Sequence, residues 1–215
     1  MEKLIVTAHM KTPFITGGGY MTLDALLAGI LFDQLQDVEA AHSSIPIKCT
    51  NGLFHASAAI YETLTHTRAA FVANLRAEHS LDPDLFPKKR DGTIHRKIGR
   101  TKQEQFGAVL NSYDCKFVES IEWHAEGDSE KIMRVIESNF FLGKRRASGF
   151  GEVTHWTIES SELDGLTGYV DEPLRPIPVN RFTGDKASLK VDAAWRPAYW
   201  DPANRTTCYA PEPCE

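Results

Sequence analysis

A chain of 215 residues, 42% hydrophobic and 25% charged, is long enough for one large domain, or one with an elaborated insertion, and too apolar to be disordered throughout. No stretch approaches the roughly 20 apolar residues of a membrane span, and MEKLIVTAHMK is too short an apolar run for a secretion signal, so the expectation is a cytoplasmic protein that avoids membranes. The net charge of −5 argues weakly against nucleic acid, but residues 88–102 and 143–151 hold ten of the 24 basic residues and one of the 29 acidic ones, and local potential guides a polyanion.

Residues 3–9 (KLIVTAH) predict a strand: short, apolar and β-branched at Ile5, Val6 and Thr7. A loop follows, broken by Gly17, Gly18 and Gly19. Thr22 can cap a helix to about Gln36, with Leu23, Leu26, Leu27, Ile30, Leu31 and Leu35 on one wide apolar face. Residues 46–60 are extended in part, with a break near Asn51-Gly52, and 66–79 suit either helix or strand. Residues 80–102 form a polar, basic insertion. CKFVESIEWHA alternates like one half-buried strand. Asp128 caps a second helix, with Ile132, Val135, Ile136 and Phe140 at helical spacing. A glycine-rich loop and a strand over 151–160 complete the order strand, helix, strand, strand, helix, strand. That is the βαββαβ order of an α+β, ferredoxin-like (RRM-like) domain over 1–160, with the insertion at about 80–103. Its helix-free sheet face is open to a ligand. The Pro- and aromatic-rich extension, 161–215, is expected to be irregular and packed on the domain or a partner.

The most informative stretch is FFLGKRRASGFGEV. Gly143, Gly149 and Gly151 free the backbone for positive φ and close approach, and Lys144, Arg145 and Arg146 lie between them. Backbone N–H groups and guanidinium groups together make a phosphate cradle. The order differs from a P-loop, where Lys and Ser/Thr follow the last glycine. A glycine C-cap accounts for Gly143 and leaves Gly149-Phe150-Gly151 unexplained. The loop from Lys11 to Tyr20 offers backbone N–H groups before a helix, with Phe14 and Tyr20 as base-stacking candidates or core residues. Lys88, Lys89, Arg90, Arg96, Lys97, Arg100 and Lys102 suit either a second RNA-facing patch or a solvated loop. Trp195, Arg196, Tyr199 and Trp200 suit a core plug or a partner interface.

Catalytic and metal motifs are absent. Cys49, Cys115, Cys208 and Cys214 form no C-x-x-C pair and are read as reduced thiols; no metal and no cofactor is expected. There is no H-E-x-x-H or G-x-S-x-G. The eight histidines fall in no recognisable catalytic pair, although His9 and His155 sit in predicted strands that flank the sheet face.

The helix, glycine-rich loop and strand, with Gly143, Lys144, Arg145, Arg146, Ser148, Gly149, Phe150, Gly151 and Val153 in the pattern G-x-x-x-x-x-G-F-G-x-V, resemble the hallmark of the CRISPR-associated RAMP superfamily. The first strand, TLDALLAGIL and WRPAYWDP extend the resemblance to the small "Cas five" subunit of type IV effector complexes. It implies a non-catalytic subunit that caps the 5′ handle of the crRNA and contacts backbone and large subunits, with a loop that touches RNA and an insertion that acts as a thumb. Processing nucleases of the superfamily carry their glycine loop near the C-terminus, whereas 64 residues follow Gly151 here. A metal-independent endoribonuclease acting on precursor crRNA and a protein-only adaptor are the alternatives.

Overall fold

The computed structural model describes residues 1–73, 90–92, 109–185 and 188–212. It divides into two compact units, Thr67–Cys115 and Met1–His66 with Lys116–Glu215. Its elements are β1 (Glu2–Met10), β2 (Phe14–Ile15), α1 (Leu23–Leu35), α2 (Val38–Ser43), β3 (Cys49–Thr50), β4 (Leu53–Phe54), β5 (Thr65–Ala73), β6 (Val109–Phe117), β7 (Ser120–Gly127), α3 (Ser129–Ile136), β8 (Val153–Ser160), β9 (Ile177–Pro178), β10 (Leu189–Ala194) and β11 (Arg205–Ala210). The architecture is α+β, with several small sheets and few helices.

In the larger unit β1 is central, antiparallel to β7 on one side and β8 on the other; Val6 faces Trp123 and Ile158 across the two ladders. Side chains alternate between faces along a strand. Leu4, Val6 and Ala8 therefore share one face with Ile121, Trp123 and Ala125, and bury it against Leu23, Leu27 and Leu31 of α1 and Ile132 and Ile136 of α3. The Trp123 indole N–H donates to the Met21 carbonyl at 2.9 Å, so the largest core side chain leaves no orphan donor. The outer edge of β7 is covered as well. Ser57 N–H donates to His124 O at 2.8 Å, and Ile60 and Glu122 exchange two bonds of 2.9 Å.

Local signals explain the ends of these elements. Asp128 accepts from Lys131 N and starts α3. The helix stops at Ile136, before Ser138 and Asn139, which favour turns over helix interiors. Phe140 thus leaves the apolar stripe and stands 60% exposed. Asn51 and Gly52, both at positive φ, make the turn between β3 and β4. The stretch read as a single strand, CKFVESIEWHA, is instead the end of β6 and most of β7, broken at Val118 and Glu119. Residues 65–73 are strand β5, which pairs with β6 in the smaller unit, where Arg68 meets Asp114 at 3.1 Å and the Phe71 ring meets Tyr113 edge-on. Arg90 is exposed in a turn; Lys88, Lys89, Arg96, Lys97, Arg100 and Lys102 lie outside the described residues.

The C-terminal extension is not irregular. Strands β10, β11 and β9 form an antiparallel sheet over a second core of Leu53, Ile177, Phe182, Trp195, Cys208 and Tyr209. Burial pushes the Cys208 thiol up to about 11, and Asp192 adds to the shift. A buried polar knot ties this sheet to the first core. Arg175, 0% exposed, donates from one terminal nitrogen to Asp24 (3.1 Å) and the carbonyls of Phe54 (2.7 Å) and Ala56 (3.0 Å). The other donates to the Trp195 carbonyl (2.9 Å) and the Tyr199 hydroxyl (2.7 Å). Tyr199 in turn donates to the second Asp24 oxygen and accepts from Thr22. Thr22 occupies the cap position of α1, but its hydroxyl serves this knot rather than the helix.

Burial opposes the Arg175 charge, yet Asp24 and Tyr199 outweigh it and hold the guanidinium above its ordinary range. Removing one member of a buried ion pair leaves the other charge uncompensated, at about 3–5 kcal/mol. Arg175→Met is therefore expected to lower the urea midpoint by a stability loss of that size, while Arg205→Met, at an exposed pair with Asp192, changes it by less than about 1 kcal/mol.

Candidate nucleic-acid interface

The segment between α3 and β8 folds back on the loop that follows β1. Gly143 and Gly151 are at positive φ and in contact with neighbouring backbone: a Cβ on Gly143 would lie 2.4 Å from the Ile15 carbonyl, and one on Gly151 1.9 Å from the Leu142 carbonyl. That proximity permits a ladder of main-chain bonds: Lys144 N to Ile15 O, Gly151 N to Pro13 O, Leu142 N to Gly151 O and Lys11 N to Glu152 O, each 2.8 Å. Thr12 completes the seam. Its hydroxyl donates to the Gly149 carbonyl (2.8 Å) and accepts from Glu152 N (2.9 Å).

The seam presents the basic residues on a rigid turn. Arg145 adopts the left-handed conformation (φ 60°) and leads into a 3-10 turn over Arg146–Ser148, closed by Gly149. Lys144, Arg146, Ser148 and Gly149 are exposed; Arg145 and Phe150 are half-buried. The Lys144 side chain lies across Gly17, where a Cβ would come within 3.1 Å of its Cε. Gly18 and Gly19, both at positive φ, meet nothing within 4 Å of an added Cβ. The two glycine loops therefore form one surface with a lysine between them.

Beside that surface is a cleft of about 630 Å³, lined by residues 16–21, Ala58, Ala59, Ile60, Tyr61, Lys116, Gly143, Leu174, Pro211 and Glu212. The Lys116 ammonium stands 5.2 Å from the Tyr61 ring centre. Tyr20 donates to the Pro211 carbonyl at 3.1 Å, and burial, with Cys208, raises its pKa above the ordinary tyrosine value. Aromatic rings beside a cationic rim can hold unpaired bases and their phosphates. Lys116 and the lining residue Tyr61 carried no signal in the sequence, because nothing in their local pattern marks them as neighbours of the glycine loops.

Phe14, Trp195 and Tyr199 take the core reading of the two the sequence left open, and other candidates depart from their readings. Phe14 is 0% exposed and meets Tyr61 edge-on, so it is a core residue and no base platform. The first turn of α1 cannot take a phosphate: Thr22, Leu23 and Asp24 are buried and Leu23 N donates to Ser57 O. Lys11 lies at the seam, ion-paired with Glu152 at 2.7 Å. Trp195 is 8% exposed, with the guanidinium carbons of Arg181 and Arg196 at 4.4 and 5.0 Å from its ring, and Tyr199 belongs to the Arg175 knot. Neither is an exposed interface anchor. Arg196 donates to Asn204, and Trp200, 78% exposed, projects into solvent. The helix-free face of the central sheet carries Glu122, Glu126 and Glu159 against Lys3 and the Lys48 paired with Glu126, and so gathers no excess of positive charge for a polyanion. His9 and His155 sit opposite each other on it, with stacked rings 4.2 Å apart.

No family model matches the chain, and no curated protein matches it. Among the described residues, no helix is long and apolar enough to cross a membrane.

The two ends of the loop should respond differently to a methyl group. Gly149 faces open space, so Gly149→Ala is expected to cost only the left-handed backbone penalty of about 1–2 kcal/mol. Gly151→Ala adds a collision with the Leu142 carbonyl and is expected to cost at least twice as much, read from urea unfolding of both variants.

Proposed function

We propose that this chain is a RAMP-type, ferredoxin-like subunit of a CRISPR effector complex of type IV character, and that it holds the 5′ handle of the crRNA without cutting it. One observation carries the reading: residues 143–151, stitched to the loop after β1, set Lys144, Arg145 and Arg146 on a rigid turn beside a cleft with Tyr20 and Tyr61. The strand order β8, β1, β7, with residues 56–60 bridged to the free side of β7 and two helices on one face, supports the ferredoxin-like assignment. In this reading the three cations neutralise handle phosphates, Gly149 lets the RNA backbone approach, and the cleft takes an unpaired base. Backbone and large subunits are the expected partners, with the exposed Trp200 as one contact.

A single assay tests it. Purified protein is mixed with labelled repeat RNA in EDTA at two salt concentrations and run on native and denaturing gels. The RNA is expected to shift intact. Arg145→Glu with Arg146→Glu is expected to weaken binding at least tenfold and to flatten the logarithmic salt slope by about one for each phosphate no longer neutralised. No shift at either salt, or a shift indifferent to the double charge reversal, would sink the proposal.

One observation favours a second reading, an endoribonuclease. His9 and His155 form a cross-strand pair with nearly parallel rings (6°), and His9 Nε2 lies 3.3 Å from Thr157 Oγ1. Two imidazoles can divide general acid and general base between them. That reading requires a discrete cut on the denaturing gel, abolished by His155→Ala. The handle-binding reading requires the same RNA to stay whole with either protein.

A further inference from the structure

Three side chains distant in sequence meet behind the edge of β7. His55 follows β4, Glu126 belongs to β7, and Asp164 lies in the loop after β8; one ligand atom of each falls within 4.8 Å of the other two. Each is fixed by its backbone. His55 N donates to Lys48 O at 2.8 Å, and Glu126 N to His55 O at 3.0 Å. Gly165 brings its neighbour Asp164 close, since a Cβ there would lie 2.4 Å from the His124 carbonyl. One Asp164 oxygen accepts from Leu166 N at 3.0 Å, and the other turns toward His55.

The imidazole is the telling group. His55 is 8% exposed, and its Nε2 lies 2.9 Å from Thr50 Oγ1. Its Nδ1 is buried without a hydrogen-bond partner, 3.4 Å from Asp164 Oδ2 and 3.6 Å from Glu126 Oε2. Those separations are too long for a charge-assisted N–H···O bond, which spans about 2.7–2.9 Å. In the tautomer that donates Nε2–H to Thr50, the Nδ1 lone pair faces two carboxylate oxygens, which repel it. A cation among the three relieves that. A tetrahedral zinc ion with bonds of about 2.0–2.2 Å holds its ligands about 3.3–3.6 Å apart, which the 3.4 and 3.6 Å from His55 Nδ1 to Asp164 and Glu126 match. Burial, helped by Lys48, holds His55 below the ordinary histidine range against the pull of Asp164 and Glu126.

We infer that His55 Nδ1, Glu126 and Asp164 form a binding site for a divalent transition metal, Zn²⁺ foremost, with the fourth position left to water. Thr50 orients the imidazole from behind, as outer-shell partners do at metal sites. Lys48 is the built-in competitor: its half-exposed ammonium meets Glu126 at 2.8 and 3.0 Å and swings into solvent when the ion enters. The ion joins the segment after β4, strand β7 and the loop after β8, and stiffens that flank of the sheet.

The test is calorimetric titration of the EDTA-stripped full chain with ZnCl₂, together with Co²⁺ absorption spectra. One ion per chain is expected, with the intense visible bands of tetrahedral cobalt. Asp164→Asn is expected to weaken binding at least tenfold. Lys48→Met, which removes the competing charge, is expected to tighten it. Both side chains are partly exposed, so both variants should fold, and thermal melts without metal check that they do. No saturable binding, or binding indifferent to both substitutions (as for zinc on surface histidines), would overturn the inference.

Discussion

A fully buried guanidinium organises the larger unit. Arg175 has no solvent to lean on, so its charge must be met by what the fold supplies: Asp24 at the start of α1, the carbonyls of Phe54 and Ala56, and Trp195 and Tyr199 from the extension. These partners come from separate stretches of chain, and leaving any of them out would strand a charge or a donor in a dry interior. The knot is incompletely satisfied, since Arg175 Nε has no partner. Such a group specifies one arrangement of helix, edge segment and extension, because hydrophobic contact alone accepts several.

A second constraint acts at the loop. Positive φ and the absence of a Cβ at Gly143 and Gly151 let two backbones touch and exchange hydrogen bonds. The entropy of ordering a polar, charged loop is thereby met by main-chain bonds, and the cations need not bond one another to hold their positions. A preorganised cationic turn loses less freedom when it meets a polyanion than a floppy one does. The polar face of the central sheet has Glu122, Glu126 and Glu159 against Lys3 and Lys48, and so offers a polyanion no counterpart to the three cations of the loop.

Patterns confined to neighbouring residues were readable from the chain. The apolar spacing of α1, the Asp128 cap, the Asn51-Gly52 turn, the β-branched run of β1 and the alternation that falls in β7 each reflect local backbone and side-chain preferences, and each is present. The α+β class follows from their order. Misreadings arose where the deciding force was tertiary. The extension looked irregular because Pro- and aromatic-rich stretches have no clean period, yet it pairs three strands over a core of its own. Trp195 and Tyr199 stayed open between core and interface because aromatic residues serve both equally well, and only burial and the Arg175 knot place them inside. Phe14, open in the sequence between base stacking and core, is buried and meets the Tyr61 ring, far from it in sequence.

Sequence alone therefore determined the class of fold, the starts of α1 and α3 but not of the short α2, and the basic, glycine-rich loop as the place to look for anion chemistry. Only the tertiary structure decided that this loop adjoins residues 17–19, that the first turn of α1 is buried, and that Arg175 closes the extension onto the domain. It alone brought His55, Glu126 and Asp164 within 4.8 Å of one another. The reason is physical. Capping, periodicity and turn chemistry act over a few residues and leave a local trace, whereas cross-chain hydrogen bonds and buried charges depend on which segments meet, and no local pattern encodes that meeting.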